Sequence, residues 1–250
     1  TTAVWASVTG AGKPADNADV SPALPSDEHL VGYWAFDEGN GTVAVDGSGR
    51  GNNGTLVNGP TWVDGVVGKC LSFDGVNQYV NCGQVLASDR SLPFTFAAWV
   101  KPASISGWDT IIGTNGTYWE ITLSGGTPRI GGNAGHSGWI SASENIPVDV
   151  WSFIVGTYDG TSGRIYINGE LKGGPIAITN SSGNNGVSII GSYNLAPAEL
   201  FHGLIDEVRI YNRALTASEI KALYLYPAGN KGVADTMKLT GIEAGATKNV

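Results

Sequence analysis

The segment Arg164-Ile165-Tyr166-Ile167-Asn168-Gly169-Glu170-Leu171 constrains the fold more than any other. Strand-forming residues lead into Asn-Gly, the pair that tolerates the two positive-φ positions of a tight hairpin turn, and then resume. The motif recurs. Trp151–Tyr158 runs into Asp159-Gly160. Leu71-Ser72-Phe73 reaches a turn at Asp74-Gly75-Val76-Asn77 and continues as Tyr79-Val80-Asn81-Cys82, which predicts another hairpin. Leu30–Phe36, Phe94–Val100, Trp119–Leu123, Val187–Gly191 and Phe201–Tyr211 complete a series of short strands. In Trp119–Leu123 the alternation is strict, with Trp119, Ile121 and Leu123 on one face. Glycine supplies 37 of 250 residues, about twice the usual share, and without a triplet repeat that excess fits many tight turns. One helix is expected. Thr216-Ala217-Ser218-Glu219 is a capping box, Leu215 and Ile220 stand where a hydrophobic staple belongs, and the helix stops before Pro227. Short strands, regular turns and one short C-terminal helix predict an all-β, two-sheet antiparallel sandwich.

Composition divides the chain in three. Residues 1–28 and 227–250 are small and polar and read as extended linkers, while residues 29–226 carry nearly all the aromatics and all the alternation. The formal net charge is −8 with no basic stripe, which argues against nucleic acid as a partner. Apolar runs such as Phe96–Val100 fall far short of the ~18 residues of a membrane helix, so membrane insertion is not expected. The first residues lack the basic and apolar pattern of a secretory leader.

The strand blocks resemble a family. Gly32-Tyr33-Trp34-Ala35-Phe36-Asp37-Glu38-Gly39 is similar to the opening of laminin-G-like, concanavalin A-like jelly rolls. Asp46–Leu56, Gly68–Gly75, Trp151–Gly160, Ile165–Gly169 and Gly203–Leu215 follow in the family's order. The resemblance spans residues 30–226 and implies a jelly-roll sandwich that most often serves binding, frequently of glycans. The flanks, Val8–Val20 and Ile242–Val250, resemble connector segments of bacteriophage tail fibres. That likeness implies an adhesion domain inserted in a virion fibre, recognising a bacterial surface glycan, with the flanks allowing a homotrimer. The alternative is a carbohydrate-binding module of a secreted, extracellular polysaccharide-processing protein, with the flanks as plain linkers.

Three kinds of site are expected. Cys70 and Cys82 fall opposite each other if residues 71–82 form the predicted hairpin, which would permit a disulfide; two buried free thiols are the alternative. The family resemblance implies a structural calcium clamping the first strand's loop to the last strand. Asp37, Asn53 and Asp206 are its candidate ligands, with carbonyls from 51–53; turn capping by Asp46 and Asn53 and pairing of Asp206 with Arg209 would account for the same residues. A glycan needs flat aromatic surface beside polar groups. Trp34, Trp99, Trp119 and Trp151 fall at core positions of strands. Trp108, Asp109, Asn115, His136, Trp139, Tyr193 and Asn194 lie outside the periodic pattern, in the loop segments 105–118, 133–140 and 192–199, and are the candidate contacts. Catalysis has little support. Glu120 stands alone in its strand, Asp206 and Glu207 are adjacent and point to opposite faces, and three histidines have no partnered nucleophile motif. The expectation is a non-catalytic protein.

Overall fold

A computed structural model describes residues 24–86, 92–115, 119–132, 138–178, 186–196 and 198–229. Its strands in chain order are β1 (Leu30–Trp34), β2 (Val43–Ala44), β3 (Gly54–Val57), β4 (Thr61–Asp64), β5 (Lys69–Asp74), β6 (Tyr79–Asn81), β7 (Phe94–Pro102) and β8 (Trp108–Thr114). There follow β9 (Glu120–Ser124), β10 (Thr127–Gly131), β11 (Trp139–Ser141), β12 (Ser152–Tyr158), β13 (Ser162–Ile167), β14 (Glu170–Ala177), β15 (Ser188–Ile190) and β16 (His202–Tyr211), then α1 (Ala217–Leu225).

These strands form two antiparallel sheets, a jelly-roll sandwich. The first runs β14-β13-β12-β7-β16-β5-β4, and β1 also pairs with β16. Both fit because β16 is ten residues long: its first half pairs with β5 and its second half with β1. The second sheet runs β11-β10-β9-β8-β15-β6-β3-β2. Residues from both inner faces, among them Trp34, Phe96, Trp119, Ile121, Ile130 and Ile210, make the main core. The β13–β14 hairpin turns on Asn168 and Gly169 at φ 52° and 79°, the paired positive values that its sequence requires.

The central strands of the first sheet, β7 and β12, are buried on both faces, while β4 and β14 at its edges are partly exposed. In β7, Phe96, Ala98 and Val100 face the second sheet, while Ala97 and Trp99 face outward. Ile220 and Leu223 of α1, with Leu215, close over Trp99, Phe153 and Val155. The helix begins with the expected capping box: Thr216 Oγ1 accepts from the Glu219 amide at 3.3 Å, and Glu219 Oε2 accepts from the Thr216 amide at 2.9 Å. Trp34, Trp99 and Trp119 are fully buried, as expected, whereas Trp151 is partly buried at the edge of the second apolar cluster.

The expected hairpin over residues 71–82 does not form, and the Cys70–Cys82 disulfide fails with it. β5 pairs with β4 and β16 in the first sheet, and β6 pairs with β3 and β15 in the second. The turn after Asp74 therefore carries the chain across the sandwich. Cys70 and Cys82 are buried free thiols in different layers. Burial pushes the Cys70 thiol up to about 12 and raises that of Cys82 as well.

Candidate functional site on the outer face of the second sheet

With α1 covering the centre of the first sheet, the outer face of the second sheet offers a broad surface among the described residues. Strand alternation determines what it carries. Ile121, Leu123 and Ile130 point into the core, so Glu120, Thr122 and Arg129 point out. Cross-strand register assembles them in rows. Thr110, Thr122, Arg129 and Ser141 are successive partners across β8, β9, β10 and β11, and Gly113, Glu120, Gly131 and Trp139 form the next row. Trp108, opposite Ser124, begins a third.

The row that ends at Trp139 explains the aromatic geometry. Gly131 has φ 149°, and a side chain there would run into the Trp139 ring and the Gly138 carbonyl. Glycine thus lets the Trp139 indole lie across β10. Its ring centroid comes within 5.2 Å of the Trp108 ring at 54°, a tilted pair. The Arg129 guanidinium carbon sits 5.3 Å from the Trp108 centroid, in cation–π range. Trp108 remains 38% exposed, so the platform is open to a ligand.

Beside this platform the face is polar yet buried. Thr110 and Thr122 are fully buried and Glu120 is 2% exposed. The segment after β15 crosses this region: the Thr110 amide donates to the Glu199 carbonyl at 2.8 Å, and the Tyr193 amide to the Ala198 carbonyl at 3.0 Å. Glu120 Oε2 accepts from the Thr110 hydroxyl at 3.0 Å, while Oε1 has no hydrogen-bond partner. Burial, helped by the nearby Glu199 charge, pushes the Glu120 carboxyl up to about 8. It is therefore mostly protonated at neutral pH and able to donate a hydrogen bond. Asn194 Oδ1, in the segment after β15, is also buried without a partner, whereas Ser188 shares the inner face of β15 with the core residue Ile190. A buried polar atom left unpaired costs free energy, and Glu120 Oε1 and Arg129 Nε both lie on this face.

The predicted contacts divide. Trp108 and Trp139 come together. Tyr193 and Asn194 belong to the crossing segment, and Tyr193 lies close enough to Glu120 and Glu199 for their charges to raise its hydroxyl, after burial. Asn115 fastens that segment, its Oδ1 accepting from the Leu195 amide at 3.3 Å. Asp109 does not join them. It follows Trp108 on β8 and so points to the other side, where its carboxyl is pushed up to about 6 by burial against the opposing charge of His202. His136 lies outside the described residues. Glu120 and Arg129, which sequence reasoning did not place among the candidate contacts, lie on the same outer face. A cavity of about 220 Å³ beside His202, lined by Phe73, Lys101 and Asp149, brings none of the candidate contacts together.

Of the implied calcium ligands, Asp37 and Asp206 meet the same turn between β4 and β5, while Asn53 is bonded elsewhere. Asp206 is fully buried, with Oδ2 accepting from the Val66 and Val67 amides at 2.8 and 3.2 Å and Oδ1 from the Glu207 amide at 2.8 Å. Asp37 Oδ1 accepts from the Lys69 amide at 2.9 Å, and Asn53 Oδ1 from the Asp46 amide at 2.9 Å. Among the described residues no three histidine, cysteine or carboxylate side chains cluster so as to hold a metal ion. This donor set serves the backbone and does not fit a calcium cage. Nor does Asp206 pair with Arg209, whose Nη2 lies 2.6 Å from Glu207 Oε2.

Comparison with known proteins gives the same architecture. No curated protein matches the sequence. Among solved structures, domain 4 of AbnA, an extracellular GH43 arabinanase from Geobacillus stearothermophilus in complex with arabinotriose, superposes with TM-score 0.62 at 24% identity, covering 78% of this chain and 98% of that one. A Trypanosoma rangeli sialidase superposes at TM-score 0.64 and 20% identity over 83% of this chain and 35% of its own. The binding domain of Paraclostridial Mosquitocidal Protein 1 does so at 0.62 and 18%, over 80% and 53%. This chain thus spans about a third of the sialidase and about half of the mosquitocidal domain, and at these identities the likeness shows the fold. Among described residues no helix is long and apolar enough to cross a membrane. The family described as the concanavalin A-like lectin/glucanases superfamily matches residues 74–221, and because that span exceeds half of the sequence, the protein belongs to this superfamily.

Proposed function

We propose that this protein is a non-catalytic glycan-binding module whose ligand lies on the outer face of the second sheet. The observation that carries the reading is the Trp108–Trp139 pair, open to solvent and flanked by buried polar groups without partners. Indole faces take the apolar face of a sugar ring, and the Glu120 carboxyl and neighbouring groups take its hydroxyls. The arabinotriose-bound arabinanase domain, a neighbour of the same fold, adds support. Titration calorimetry against arabinan, xylan, galactan and pectin oligosaccharides tests it. Binding that Trp108→Ala and Trp139→Ala both abolish is expected; binding unaltered in both variants overturns the placement.

Glu120 favours a second reading. A carboxyl protonated near neutral pH beside a second carboxylate, Glu199, has the character of a general acid. Product analysis of the same mixtures separates the two. Intact oligosaccharide is expected, while cleavage that Glu120→Gln abolishes would make the site hydrolytic.

Two settings fit such a module. Placement in a phage tail fibre, on the virion and against a bacterial surface glycan, rests on the flanks, of which residues 24–28 and 227–229 are described. An accessory module of an extracellular polysaccharide-processing protein is favoured by the arabinanase domain, matched over 98% of its length. Sedimentation of the whole chain discriminates: a trimer supports the fibre, a monomer the accessory module.

A further inference from the structure

We propose that the outer-face site selects an anionic glycan, and that Arg129 receives the oxyanion of its carboxylate- or sulfate-bearing sugar. The inference rests on the glycan-binding reading above and adds a class of sugar to it.

Arg129 differs from the other arginines among the described residues. Arg164, Arg209 and Arg213 each meet a carboxylate, Asp159, Glu207 and Glu219 respectively, at 2.7 Å or less. Arg50 donates to the Glu28 carbonyl at 2.8 Å. Among the described residues Arg129 has neither an ion pair nor a hydrogen-bond partner, and its Nε is buried. This occurs in a chain with 22 acidic against 14 basic residues, where an accidental carboxylate partner would be easy to supply. A guanidinium desolvated on one side and unpaired on the other is costly unless something completes it.

The surroundings hold the group ready. Arg129 lies between Thr122 and Ser141 in the cross-strand register, and its guanidinium sits over the Trp108 ring. Contact with an aromatic covers the face of a guanidinium and leaves its edge, where the paired N–H donors project, for a planar or tetrahedral oxyanion. Glu120, across from Gly131 in the next outward-facing row, is the acidic side chain that shares this face of β8 to β11 with Arg129. Burial keeps it largely protonated below about pH 8, so it neither neutralises Arg129 nor repels an incoming anion. The Trp108–Trp139 pair then seats a sugar ring beside the charge it carries.

The test is calorimetric titration of the whole chain with matched oligosaccharides: oligogalacturonate and its methyl ester, a sulfated galactan and its desulfated form, and neutral arabinan. Binding of an acidic form with loss in its neutralised counterpart is expected, weakening as salt rises. The carboxylate and sulfate arms show which oxyanion is received. Arg129→Met should weaken that binding by roughly tenfold or more, with Arg129→Lys intermediate, because lysine keeps the charge and loses the fork. Melting curves of both variants should match the parent, which excludes misfolding as the cause. Equal binding of the charged and neutralised forms, or an unaffected Arg129→Met, overturns the inference. If arabinan binds and Trp108→Ala abolishes it, the glycan-binding reading survives that failure. If no oligosaccharide binds, both fall together.

Discussion

The rings of Trp108 and Trp139 lie 5.2 Å apart although their strands, β8 and β11, are separated by two others. A side chain at Gly131, directly opposite Trp139, would run into the Trp139 ring, so glycine leaves that indole its place over β10. This predicts a separation of function from stability. Trp108→Ala should abolish glycan binding while costing about 1 kcal/mol of stability or less, because the ring is partly solvated. Trp34→Ala should do the reverse. Its ring is fully buried in the main core, and its loss should cost ~3–5 kcal/mol. Paired melting and binding measurements on both variants check this; a large stability loss in Trp108→Ala would make that ring a core element.

Glu120 makes the stability of the fold depend on pH in a fixed direction. Its carboxyl titrates near 4.5 when the chain is unfolded and at about 8 when folded. The folded state thus holds the proton more tightly, so this contribution is fully present below 4.5 and is lost as pH rises through about 8. The loss is on the order of a few kcal/mol at most. Glu120→Gln mimics the protonated form and can still accept from Thr110. The gap between variant and parent should widen in the variant's favour as pH rises across that window, because Glu120 is the group the substitution removes. Parallel curves for the two proteins would show that the parent's Glu120 is already ionised in the fold.

Much of the fold was legible because local chemistry determined it. Asn168-Gly169 specifies its own turn, and Thr216 with Glu219 specifies where α1 begins. Residues 71–82 show the limit. Asp74-Gly75 does mark a turn, yet a turn says nothing about which sheet the next strand joins. The partners of β5 and β6 include β16 and β15, more than a hundred residues away. The site was legible in part for the same reason. Trp108 and Trp139 stand out as aromatics beyond the core alternation. Arg129 follows a proline on β10, and nothing nearby in sequence shows that cross-strand register will carry it over Trp108.

The cysteines give a test of the crossing turn itself. Cys70 and Cys82 belong to opposite sheets, and both thiols are buried with raised pKa. A thiol that stays protonated is a poor nucleophile. A thiol reagent should therefore label neither cysteine in the native protein and both after denaturation, and reducing agents should leave the melting temperature unchanged. Recovery of fewer than two thiols from the unfolded, unreduced chain would place β5 and β6 side by side after all.

Asp206 fastens the last strand of the first sheet to the turn between β4 and β5. Three backbone amides donate to its two oxygens, from Val66, Val67 and Glu207, and Asp37 takes the Lys69 amide on the same turn. A side chain at Gly65 would strike Asp206, and one at Gly68 would strike Asp37, so the turn is gripped by both carboxylates. These bonds tie the loop after β1 and the strand β16 to one turn. Excess chelator is accordingly expected to leave the melting temperature unchanged, because removing a native-state ligand at 100-fold saturation would instead cost ~2.7 kcal/mol. Asp206→Ala should be severe in any buffer, losing ~3 kcal/mol or more by stranding buried amides. A drop in melting temperature on chelation, restored by calcium and absent from Asp206→Ala, would show that the carboxylate serves an ion as well as the backbone.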